Sequence, residues 1–216
     1  MTDLIDVELV PRAVPHGARD GGSERGVFYL GQPYMVPLDP ADLDGDLRAH
    51  AEGRIGAVKY QRLVVNLSLA PRQGEPFRHV VVNAVATAVA PSPEPILFRA
   101  ASPLRHTTTV NRSSRLAVTS DQLPVSPELE WSSQHAREEP YLVARGIDTD
   151  TVQWEFHRTT GHVLDGSYEL KAVLEIPLGV TGGVLLSASA TIRKKRLGLI
   201  GYRARLDDEL SPAPFA

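Results

Sequence analysis

The sequence predicts a single all-β domain, an antiparallel β-sandwich with at most one or two short helices. Three observations predict it. Apolar residues alternate with polar ones through most of the last third. Glycine and proline clusters punctuate the chain at strand-length intervals. Helical periodicity is confined to one short polar segment. Roughly eight to ten strands parted by such turns suit a sandwich or barrel better than an α/β fold.

The bulk numbers set the frame. The 216 residues are 42% hydrophobic and 23% charged, ordinary for a globular chain, but only 6% aromatic. The core must therefore come from Val, Leu, Ile and Ala. A net charge of -3 argues against general nucleic-acid binding, which needs a basic excess. There is no cysteine, which removes disulfides, thiolate chemistry and Cys-ligated zinc together. The first residues lack a secretory pattern, and no apolar run is long enough to span a bilayer as a helix, so a cytoplasmic protein is expected. The 19 Arg against 4 Lys reflect genome composition more than chemistry.

Residues 1–27 combine Pro11, Pro15, Gly17, Gly21, Gly22 and Gly26 with charge, which predicts a flexible arm tied down at Leu4, Ile5, Val7 and Leu9. The sandwich is expected over 28–207 and a polar tail over 208–216. Val27 to Leu30 read as a first strand, broken by Gly31 and Pro33. Residues 39–53 are the one helical candidate: Asp39 caps, Pro40 suits the first turn, Gly53 the end, and Leu43 and Leu47 recur at i, i+4. Asp42, Asp44 and Gly45 fit three positions of a calcium loop, but Pro40 and Ala51 occupy its first and last ligand positions, which favours a capped helix start.

From there the period is two. Leu63, Val65, Leu67 and Leu69 alternate up to Pro71, and residues 80–89 return as a second strand, so the two are expected to form a long hairpin. Pro91, Pro93 and Pro95 force an extended crossing. Short strands follow at Ile96–Phe98, 107–110 and 115–119. Residues 121–140, rich in Ser, Pro and Glu, are expected as a loop with one helical turn, and a strand follows at 141–144. Val152, Trp154 and Phe156 share one face. Alternating runs at 168–176 and 184–192 read as another hairpin, and Gly198 and Gly201 mark a bend in the last strand.

Candidate chemistry is sparse. No G-x-S-x-G pattern is present, and Ser167 behind Gly166 is ordinary turn chemistry, so no catalytic residue is assigned. No cofactor is expected. Glu155 and His157 share one strand face, with His162 and Asp165 in the next turn, a set able to gather two imidazoles and two carboxylates around a divalent ion. The competing reading is a solvated polar face. Arg105, His106 and the following threonines suit an anion cradle or a plain strand entry. The densest charge is Arg193, Lys194, Lys195 and Arg196, with Arg203 and Arg205 on the returning strand and Asp207, Asp208 and Glu209 close behind. As a hairpin tip it suits an acidic partner, an anionic membrane or a nucleic-acid backbone, or serves only as a solubilising edge.

Three expectations follow. The leading one is a non-enzymatic interaction or assembly module with a protein partner or a second copy of itself. The alternatives are a membrane-surface β protein using the 168–192 hairpin and its basic tip, and a metal-dependent binder or hydrolase at the 155–165 turn.

Overall fold

A computed structural model of the chain describes residues 4–12, 22–116, 131–195, 197–206 and 215, with the backbone alone for 110–116 and 131–135. Two antiparallel sheets pack face to face, the all-β sandwich that the alternation predicts.

The strands are β1 (Leu4–Asp6), β2 (Glu8–Pro11), β3 (Phe28–Gly31), β4 (Tyr34–Leu38), β5 (Val58–Leu69), β6 (Phe77–Ala88), β7 (Leu97–Ser102), β8 (Arg105–Leu116), β9 (Trp131–Arg145), β10 (Thr151–His157), β11 (Gly166–Pro177), β12 (Gly182–Lys194) and β13 (Gly198–Arg205). The six-stranded sheet runs β1-β3-β5-β11-β7, with β4 also paired to β5. The seven-stranded sheet runs β2-β13-β12-β6-β10-β9-β8. A 3-10 turn (Pro40–Asp42) and one α-helix, α1 (Gly45–Glu52), lie on the outside of the six-stranded sheet. Among the described residues no helix is long and apolar enough to cross a membrane.

The core lies between the sheets and follows the two-residue period. Leu63, Val65, Leu67, Leu170, Ala172, Leu174 and Ile176 come from one sheet. Val80, Val82, Ala84, Val152, Trp154, Phe156, Ala188 and Tyr202 come from the other. Aromatics are few, and one pair meets between the layers: the Phe156 ring of β10 meets Tyr168 of β11 edge-on at 4.9 Å.

Both expected long hairpins are corrected. β5 pairs with β11 and β6 pairs with β12 and β10, so the first pair divides between the two sheets. β11 and β12 divide in the same way. Alternation marks the buried face of a strand, and that face is the same whether the next strand pairs beside it or crosses to the opposite layer. The consecutive strands that pair are β12 with β13, which carry the basic run, β9 with β10, and β8 with β9 at the sheet edge.

Two local expectations change, while the anchors of the arm lie where the sequence placed them: Leu4 and Ile5 are in β1 and Leu9 in β2, one strand to each sheet, and Val7 makes the crossing, 2% exposed with its N–H bonded to the Phe28 carbonyl. Residues 13–21 lie outside the described residues. The helix over 39–53 is broken in two: Asp39 caps the 3-10 turn through its side chain, Leu43 is extended, and α1 starts afresh after Asp44. The loop expected over 121–140 is strand from Trp131 onward, and 121–130 lie outside the described residues. Ladder hydrogen bonds with β8 hold that polar segment extended, although its side chains carry no apolar pattern. Most of the 208–216 tail also lies outside, but Phe215 is buried and its backbone pairs with Gly182. A Cβ on Gly182 would sit 2.1 Å from the Thr87 carbonyl and 2.9 Å from the Phe215 ring, so glycine alone admits both neighbours.

Candidate functional site

The outer face of the seven-stranded sheet carries the chain's surface chemistry. Its central strands present short polar side chains outward, Asn83 from β6 and Ser187 and Ser189 from β12, with Asn83 Nδ2 donating to Ser187 Oγ at 3.3 Å. β13 and β2 continue the face with long ones. Arg203 stands directly opposite Ser189, and Arg205 and Arg12 flank it. Short residues in the middle and arginines at the side leave a groove of about 830 Å³. Arg205 is 3.1 Å from Glu8, whereas neither Arg12 nor Arg203 has an ion-pair partner among the described residues.

The basic run expected as one patch is therefore divided. Arg203 and Arg205 line the groove. Arg193 is exposed at the end of β12 and Lys195 is exposed in the turn, its side chain lying against Gly74. Lys194 points the other way. Its ammonium donates to Glu24 at 2.6 Å and Glu75 at 2.7 Å, with Arg72 2.8 Å from Glu24 on the far side. Burial lowers the lysine pKa, and the two carboxylates more than reverse that, so the net shift is upward. Strand parity explains the inversion, since Ile192 and Lys194 share the inward face. Arg196 lies outside the described residues.

One row along the same face, the expected metal residues separate into two groups. Glu155 and His157 project together from β10, 3.2 Å apart. The partner that joins them is His79 of β6, directly opposite His157 and stacked on it at 4.5 Å. His162 and Asp165 do not join. The His162 ring stacks on Tyr141 at 3.7 Å, and Tyr168 donates its hydroxyl to the Asp165 carbonyl at 2.9 Å, so both serve to pack the turn. His79 carried no signal in the sequence, because the facing of β6 and β10 depends on sheet order. Burial, and then the neighbouring His157, hold its pKa below the usual histidine value.

On the opposite surface, beneath α1, Glu175 of β11 is 3% exposed. Arg99 of β7 donates to both carboxylate oxygens, at 3.1 and 3.0 Å, Tyr60 of β5 donates at 2.7 Å, and His50 of α1 lies 2.7 Å away. Burial pushes this carboxyl up, and the bonds from Arg99, Tyr60 and His50 overcome it, holding the pKa at about 2. A fully bonded carboxylate that ties a helix to a sheet has a structural task. In sequence Glu175 looked like any outward residue of an alternating strand. Ser167, the one serine singled out, has Ser68 Oγ as its partner at 3.3 Å.

No protein-family model and no curated protein matches the chain. Among solved structures it is similar to the membrane-inserted form of the Clostridium perfringens NetB toxin, with a TM-score of 0.33 and 9% sequence identity over 95% of this chain and 92% of that one. A likeness of that degree carries no argument about what the chain does.

Proposed function

We propose that the chain is a non-enzymatic interaction module, acting in the cytoplasm, which takes an acidic segment of a protein partner into its arginine-lined groove. The observation that supports this is the placement of Arg12 and Arg203, two guanidinium groups without carboxylate partners among the described residues, beside a floor of small hydroxyl and amide side chains. Guanidinium groups bind carboxylates through paired donors, and an open polar floor admits a main chain at close range. The net charge of -3 leaves the groove as a local basic feature on an acidic molecule, which steers an acidic segment to one place.

The experiment is capture from native cell extract with the full chain as bait, followed by chemical cross-linking. A stoichiometric protein partner, or a second copy, cross-linked near Arg12, Arg203 or Ser189 supports the reading. A strictly monomeric protein that captures nothing, or that binds anionic vesicles in preference to protein, overturns it.

A further inference from the structure

We infer a divalent transition-metal site on the outer face of the seven-stranded sheet, held by His79, Glu155 and His157. It is independent of the groove reading.

Strand geometry makes the set. Residues two apart on a strand point to the same face, and the residue directly opposite on the neighbouring strand points with them. Glu155 and His157 are the first pair, and His79 is the residue opposite His157. Their ligating atoms all lie within 4.8 Å of one another, and His157 Nε2 is already 3.2 Å from Glu155 Oε2. Ligand atoms on a tetrahedral ion at roughly 2.1 Å sit about 3.4 Å apart, so closure draws the three groups together and turns the His79 and His157 rings out of their stack.

A second observation points the same way. His79 Nε2 is buried and has no hydrogen-bond partner among the described residues. A ring nitrogen left that way is uncommon, and a coordinated ion is one of the few things that satisfies it. The site also has the surroundings that a ligand set uses. Arg145 Nε lies 3.5 Å from Glu155 Oε1 and steadies that oxygen while Oε2 faces the imidazoles. His157 is 45% exposed along its side chain, which gives an ion a way in. Arg145 beside Glu155 and Arg12 beside His79 are positive and oppose a cation, so the ion must be one that forms strong bonds to imidazole.

Two imidazoles and one carboxylate select the ion class. The set suits zinc, and also cobalt, nickel or copper(II), whereas magnesium and calcium need more oxygen ligands than this face supplies. Three protein ligands leave a fourth position toward solvent for a water molecule.

The test uses the full chain stripped with a chelator, titrated with zinc sulfate by calorimetry and with cobalt(II) by visible absorption. The expected result is one ion per chain, a tetrahedral cobalt spectrum, a raised Tm with zinc, and loss of all three in His79→Ala and in His157→Gln. If His79→Ala fails to fold, the half-exposed His157→Gln decides. Absence of binding to the stripped protein at micromolar zinc overturns the inference, and so does binding that survives His157→Gln.

Discussion

Glu175 and Arg99 face each other across β11 and β7 in a two-point salt bridge, with both carboxylate oxygens taken by one guanidinium at 3.1 and 3.0 Å. The pair sits on the outer side of the six-stranded sheet, and His50 of α1 and Arg54, just past the helix end, close over it. Arg99 and Arg54 each hold a second carboxylate, Asp148 and Glu94. The cluster is thus a network of ion pairs that clamps helix to sheet, and its value to the fold depends on Glu175 staying ionised.

That dependence sets a pH window. The Glu175 pKa is depressed from 4.5 to about 2 in the folded chain, so its contribution is complete above about 4.5 and is lost as pH falls toward 2. Glu175→Gln is expected to cost about 3 kcal/mol at neutral pH, the low end for breaking a buried pair, because Arg99 keeps Asp148. Urea unfolding of both proteins across the acid range checks it. The difference between them should shrink as pH falls through that window, and a difference independent of pH would contradict the assignment.

Lys194 and Lys195 are neighbours in sequence and opposites in space. Lys194→Met leaves Glu24 and Glu75 without their shared ammonium and is expected to destabilise by about 3 kcal/mol. Lys195→Met, at an exposed turn, should stay within about 0.5 kcal/mol. Thermal unfolding of the two variants distinguishes a buried clamp from a uniform basic tip, for which both would change little.

Sheet assignment is open to cross-linking, since the chain has no cysteine of its own. Ser68 and Ser167 stand opposite each other on β5 and β11 with their hydroxyls 3.3 Å apart, and Asn83 and Ser187 do so on β6 and β12. Directly opposed antiparallel residues fall within disulfide range. Ser68→Cys/Ser167→Cys and Asn83→Cys/Ser187→Cys should both close under mild oxidation, read as a mobility shift on non-reducing gels. Strands paired in the hairpin order of the sequence would leave both variants reduced.

What was legible in the sequence was the facing of side chains. Val152, Trp154 and Phe156, and the inward positions of β5, β11 and β12, follow from alternation alone. So does the cap at Asp39, because its oxygen bonds an amide two residues on. Sheet membership was not legible, since a short turn serves equally for a hairpin and for a crossing between layers. The same gap hid His79, whose role depends on β6 lying beside β10, and placed His162 and Asp165 in a cluster that the turn leads away from. Glu175 was hidden differently: nothing in its own strand shows that a helix from residues 45–52 covers it.

If Arg12 and Arg203 form the docking edge of the groove, an acidic peptide binds through them. Fluorescence anisotropy with labelled poly-glutamate tests it most directly, comparing the wild type with Arg12→Glu/Arg203→Glu at low salt. Saturable binding is expected, weakening as salt rises and lost in the variant, with its melting transition unchanged. Equal affinity of the two proteins for the peptide would contradict it.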